Sequence, residues 1–218
     1  MHISEGFLPL HHAAAWTIAS APFLVWGARR VNNMRDSRYF LAASAGFLFT
    51  LTALKLPSVA GSSSHATGIA LGTVLVGPAV LPALSLVVLL FQALLIAHGG
   101  ITTLGANVFS LGVIGPWVTY LVWRGGVRCG LGDRPPLALG TVIGSLSTYA
   151  CTSLQLALAH PDGDGGVWAA FAKFAAIFSF TQIPVAIVEA LFTLAVLRVM
   201  AQVPGQRQEA LEGWGATR

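Results

Sequence analysis

Long apolar runs separated by short arginine-bearing loops constrain this chain more than any other feature. Five runs lie at about His12–Ala28, Tyr39–Leu56, Leu104–Trp123, Leu137–Ala159 and Val167–Val199. Each is long enough to cross a hydrocarbon core, which takes about 20 residues of helix. A further stretch, Ile69–Ala97, covers 29 residues and is interrupted by Gly77-Pro78 and by Pro82. It reads either as one kinked helix or as two short ones. Only 9% of the 218 residues are charged, against roughly 25% in soluble domains, and 55% are hydrophobic. Such a chain folds as a single bundle in contact with membrane lipid.

Charge parity decides between the two forms of Ile69–Ala97. Arginines cluster at Arg29, Arg30, Arg35 and Arg38, then at Arg124, Arg128 and Arg134, then at Arg198 and Arg207. Excess positive charge marks cytoplasmic loops, which puts the N-terminus outside and returns the second span to the outside near Pro57. An odd number of crossings must then separate Leu56 from Arg124. Two short helices meeting at Gly77-Pro78 satisfy this; one long helix does not. The expectation is an all-α polytopic membrane protein with seven transmembrane helices, N-terminus outside and C-terminus cytoplasmic. The third helix, about Ala66–Val76, is too short for the full membrane thickness and must be sheltered by its neighbours. Residues 1–200 form the bundle, and residues 201–218, polar and containing Pro204 and Gly205, form a cytoplasmic tail.

The same features exclude several function classes. The net charge of +4 serves topology, and no nucleic-acid motif accompanies it. No phosphate-binding GxxxxGK[ST] loop is present, so ATP hydrolysis is not expected of this chain. No His-Glu-x-x-His spacing suggests an intramembrane metalloenzyme. Cys129 and Cys151 are too isolated for a disulfide framework or a zinc site. A cleaved signal peptide is not expected, because the first ten residues hold Glu5 and no Lys or Arg.

With this topology His2, His11, His12, His65, His98 and His160 fall at or near the outer face. His11, His12 and His160 read as tolerated surface histidines. His65 does not, since it lies in Gly61-Ser62-Ser63-Ser64-His65-Ala66-Thr67-Gly68, where small residues permit close backbone approach. Met1 and His2 offer a chelate of their own. The Met1 amine and His2 amide close a five-membered ring on a metal, and the amide and the His2 imidazole close a six-membered one. The three nitrogens lie in one plane with a fourth corner open to another imidazole. A planar nitrogen set suits Ni(II), Cu(II) or low-spin Co(II) better than Zn(II), and rejects oxygen-seeking Mg and Ca. The first ten residues are thus a candidate metal-chelating segment of the bundle.

Three motifs occur in the order of a known family. Met1-His2-Ile3-Ser4-Glu5-Gly6-Phe7-Leu8, the Gly61–Gly68 loop, and Gln92–Pro116 with Ala97-His98-Gly99-Gly100-Ile101-Thr102-Thr103-Leu104-Gly105-Ala106-Asn107-Val108-Phe109 resemble the CbiM/NikM family. These are substrate-binding components of energy-coupling factor (ECF) ABC transporters for cobalt and nickel. The match spans most of residues 1–120, and the remainder agrees in hydropathy only. The resemblance implies that the Met1 amine, His2 amide, His2 imidazole and His65 imidazole hold the transported Co2+ or Ni2+. His98-Gly99-Gly100 resembles the cobalt branch. Implied partners are a transmembrane coupling (T) protein, cytoplasmic ATPase subunits and a small additional membrane subunit, in the bacterial inner membrane. The implied product is cytoplasmic cobalt, for example for cobalamin synthesis.

Glu5, Ser63, Gln92, His98 and Asn107 are candidates to orient His2 and His65; the alternative for Gln92 and Asn107 is bonding between neighbouring helices, and for Gln92 the two readings weigh equally. Lys55 and Lys173 lie where they can snorkel to the outer surface. Glu189 lies deeper, suited either to a partner contact or to internal pairing. Ala15 and Ala19 form a small-residue pair that could meet the coupling protein. The alternative function is a self-sufficient secondary metal permease or channel.

Overall fold

The computed structural model describes residues 2–34, 38–54, 56–57 and 62–202, with backbone only at residues 56, 57, 62 and 63. Among these, seven helices follow one another: α1 Leu10–Asn33, α2 Arg38–Ala53, α3 Ile69–Val76, α4 Leu81–Ile96, α5 Leu104–Arg128, α6 Arg134–Ala159 and α7 Gly166–Met200. Helices α5, α6 and α7 are long and apolar enough to cross a membrane by length and composition. The Ile69–Ala97 stretch is broken where charge parity requires. Helix α3 stops at Val76, Gly77 takes a φ of 85°, and α4 starts with Pro82 in its first turn, where the missing N–H leaves nothing unsatisfied.

The turn between α3 and α4 lies at the arginine-bearing end. Gly27, just before Arg29 and Arg30, packs so tightly on α4 that an added Cβ would stand 3.1 Å from the Ala79 carbonyl. Val31 and Met34 pack on the core cluster that holds Val76 and Val80. Leu71, Val74, Trp123, Leu137 and Leu197 form a second cluster close in sequence to Arg124, Arg134 and Arg198. At the opposite end the N-terminal segment meets the 98–103 loop through Glu5 and Thr102, and the end of α6 through Phe7 and His160.

The structure departs from an all-α fold at that second end. Strands β1 His2–Ile3, β2 Leu56–Pro57 and β3 Ser62–Ser64 form an antiparallel sheet in the order β1-β3-β2. Extended chain pushed into an apolar bundle must satisfy its own backbone groups, and strand pairing does so where no helix can. Helix α5 is also irregular. It is α-helical over Leu104–Asn107, widens to a π-helix over Val108–Ile114, and returns to α over Gly115–Arg128. Wide turns of this kind gather at functional sites, and this one follows Asn107 directly. Residues 203–218, and with them most of the expected tail, lie outside the described residues.

Candidate metal centre

Strand β1 threads His2 into the bundle beside β3, with His2 opposite Ser63. There its ring meets two others, at centroid distances of 4.5 Å to His65 and 4.2 Å to His98. His65 and His98 stand edge to face at 5.2 Å. All three side chains are buried, and one ring nitrogen from each lies within 4.8 Å of the others. His2 Nδ1 is 2.9 Å from His98 Nε2.

His65 is held in one tautomer. Its Nδ1 lies 2.9 Å from the Ala66 carbonyl, which assigns the proton to Nδ1 and the lone pair to Nε2. That Nε2 is buried and has no hydrogen-bond partner among the described residues. Burial holds the ring's pKa well below the ordinary histidine value, so the imidazole stays neutral. The Tyr149 hydroxyl donates to the His65 carbonyl at 2.8 Å, and Ser64 Oγ pairs with Thr181 Oγ1 at 2.8 Å. Tyr149 and Thr181 escape sequence reading because their partners lie 84 and 117 residues away.

Asn107 holds the N-terminal strand. Its Oδ1 accepts from the Ile3 N–H at 2.8 Å and its Nδ2 donates to the Ile3 carbonyl at 3.0 Å, so one amide serves as a neighbouring strand. The Thr103 hydroxyl donates to the same carbonyl at 2.7 Å. Glu5 accepts from the Thr102 N–H at 3.1 Å and from the Thr102 hydroxyl, which holds its carboxyl below the usual range. Gly100 must be glycine, since an added Cβ would stand 2.7 Å from the Glu5 nitrogen.

Some expected residues lie elsewhere. Of its two expected roles the Gln92 side chain takes the helix tie: its Nε2 donates to the Phe49 carbonyl at 3.1 Å and to Thr52 Oγ1 at 2.6 Å, both on α2. Only its carbonyl serves the site, accepting from the His98 N–H at 3.0 Å. Ser63 joins through its backbone, opposite His2. The His11 and His12 rings lie 4.5 Å apart and tilted by 48° at the start of α1, and exposed His160 bonds the Phe7 carbonyl. Ala15 is exposed and Ala19 half-buried on α1. Glu189 pairs internally, with Thr67, Gly68 and Ser145. Lys173 pairs with Asp162. Met1 and Lys55 lie outside the described residues.

Comparison with known proteins decides the family. The sequence profile of CbiM, described as the cobalt uptake substrate-specific transmembrane region, matches residues 2–206. The chain belongs to the CbiM family. That match reaches well past residue 120, so the C-terminal half carries family character beyond hydropathy. The cobalt transport protein CbiM of Roseiflexus sp. (strain RS-1) is 50% identical over 224 residues, covering 98% of this chain and 88% of the relative. Its counterpart in Streptomyces coelicolor is 50% identical over 206 residues, covering 93% and 89%. A solved transition metal transporter shares the fold with a TM-score of 0.78 and 27% identity, covering 93% of this chain and 95% of that one. A truncated transition metal transporter gives 0.77 and 28%, covering 91% and 99%. Within the CbiM family the cobalt branch is supported, and nickel finds no support among these relatives. Membership and the three apolar spanning helices make this a multi-pass protein of the bacterial inner membrane.

Proposed function

We propose that this chain is the substrate-capture subunit of an ATP-driven ECF importer that takes Co2+ from the outer face and delivers it to the cytoplasm. The ligands are four nitrogens in a plane: the Met1 amine, the His2 amide, His2 Nδ1 and His65 Nε2. The observation that carries this reading is the convergence of His2 on His65 and His98, all buried, at the end of the bundle where the chain's N-terminal strand enters. His65 contributes a neutral ring whose Nε2 is unbonded, the form a metal requires. Nitrogen donors in a site closed to water select a transition metal over Mg or Ca. Asn107, Glu5, Thr103 and the Ser63 backbone fix the N-terminal strand, and the His98 contact to His2 Nδ1 gives way when that nitrogen takes the metal.

The chain transports and does not catalyse, so the energy comes from partners. A transmembrane coupling protein and cytoplasmic ATPase subunits supply it, with a small additional membrane subunit in the cobalt system. Exposed Ala15 and half-buried Ala19 give α1 a small-residue face on which the coupling protein can pack closely. The gathering of arginines at the end opposite the histidines supports an outside N-terminus and a cytoplasmic C-terminus.

The test is Co2+ binding by the protein with a free Met1 amine, beside protein acetylated at that amine. Acetylation removes one of the four nitrogens and leaves His2 in register with Ser63. Binding should collapse; unchanged binding would exclude the chain end as ligand. Co2+ uptake into vesicles by this chain alone, without ATP, would establish the permease instead.

A further inference from the structure

The structure assigns Glu189 of α7 a role in positioning His65, an inference that rests on His65 being a ligand of the transported metal. Glu189 is buried in the middle of an apolar helix, where a carboxylate is expensive and marks function. It takes four hydrogen bonds, all from neutral donors. Oε2 accepts from the Thr67 N–H at 2.8 Å and the Ser145 hydroxyl at 3.4 Å. Oε1 accepts from the Gly68 N–H at 2.8 Å and the Thr67 hydroxyl at 2.5 Å.

Those two amides follow His65-Ala66 directly, and Gly68 is the N-cap of α3. A helix start leaves its first N–H groups without partners, and here a carboxylate from another helix supplies the acceptor. Gly68 has a φ of 68°, so the chain turns sharply just after the ligand, and Glu189 holds both amides at that turn.

Packing alone does not hold the loop. A cavity of about 330 Å3, walled chiefly by Leu51, Leu54, Val188 and Phe192, lies against His65 and Ala66. On that side the loop faces space rather than a packed neighbour among the described residues. Two polar ties fix the chain just before and at His65, namely Ser64 to Thr181 and the His65 carbonyl to Tyr149. Glu189 fixes it just after. A carboxylate suits this place because it only accepts. A glutamine of the same length turns an NH2 group toward at least one backbone N–H.

The experiment uses the full chain with its native N-terminus, in detergent, with Cu(II) as spectroscopic probe and Co(II) for affinity. His65→Ala defines the spectrum of the site without its fourth nitrogen. Glu189→Gln is expected to weaken Co(II) binding by about tenfold or more and to move the Cu(II) spectrum toward that of His65→Ala. A native Cu(II) spectrum and affinity in Glu189→Gln, with both changed in His65→Ala, would overturn the Glu189 assignment and leave the metal site standing. A native spectrum in His65→Ala would overturn both. If Glu189→Gln does not fold, Thr67→Val removes one of the four bonds and keeps both amides. The same spectral shift in smaller degree is then expected, and its absence overturns the assignment.

Discussion

Replacing Asn107 with Ala should weaken Co2+ capture without unfolding the bundle. Ile3 is buried, and its N–H has Asn107 Oδ1 as acceptor at 2.8 Å. Its carbonyl takes both Asn107 Nδ2 at 3.0 Å and the Thr103 hydroxyl at 2.7 Å. Truncation therefore strands the N–H but leaves the carbonyl one partner. A stranded buried donor costs about 1–3 kcal/mol, and the lost second bond about 0.5–1.5 kcal/mol. The sum, about 1.5–4.5 kcal/mol, falls on the docking of the strand that carries His2. Translated to affinity it is a loss of about ten- to a thousandfold, the upper end applying where the metal-free strand docks only marginally. Co2+ titration against a competing chelator measures the loss, and protease access to residues 2–9 reports strand release. Circular dichroism and the melting temperature show whether the helices stay intact. Asn107→Asp keeps the acceptor but turns a carboxylate oxygen toward the Ile3 carbonyl, so it should also bind more weakly than wild type. Native affinity with a protected N-terminus in Asn107→Ala would refute the view that this amide holds the strand.

Two further outcomes follow from the same geometry. Gly100→Ala puts a Cβ 2.7 Å from both the nitrogen and the Cα of Glu5, so the N-terminal segment cannot seat; Co2+ binding should be lost with helicity retained, as titration and circular dichroism would show. Acid should weaken capture. His65 is held neutral by a pKa lowered from 6.5, so the folded loop is fully favoured above that value and loses its advantage as pH falls below it. The Glu5 carboxylate, with a pKa lowered from 4.5, keeps its tie to Thr102 through that range and loses it only in stronger acid. Co2+ affinity measured from pH 8 to pH 5 should fall continuously, and a flat profile would contradict proton competition at the ligands.

How much of this was legible in the sequence depended on range. The break between α3 and α4 could be read because Gly77-Pro78 and the arginine clusters are visible without knowing any contact. The sheet could not, because strands of two or three residues carry no alternating pattern. The two readings of Gln92 could not be separated for a related reason. A polar residue facing the interior of a bundle has several possible partners, and only the packing of α2 on α4 selects Thr52 and the Phe49 carbonyl. Glu189 stood out as a charge in an apolar run, yet its partners lie about 120 residues earlier. His98 was a candidate to orient His2 and His65, and its place beside both rings depends on the end of α4. There Ala97 takes a left-handed φ of 49°, a conformation that costs a non-glycine residue about 1–2 kcal/mol.

The placement of the three histidines explains the polar residues around them. His2 lies on a strand, His65 between a strand and a helix, and His98 just past the end of α4. None is part of a helix, so each brings non-helical backbone into an apolar bundle, where every N–H and carbonyl needs a partner. Asn107 and Thr103 serve Ile3, Tyr149 serves His65, Glu189 serves Thr67 and Gly68, and the Gln92 carbonyl serves His98. These residues are buried because the three histidines sit on non-helical chain. Placing the histidines within helices would have removed that need, but a helix cannot offer a chain end, and the planar chelate proposed above, from an amine and its neighbouring amide, requires one. On that proposal the buried polar set is the structural counterpart of an N-terminus used as a ligand.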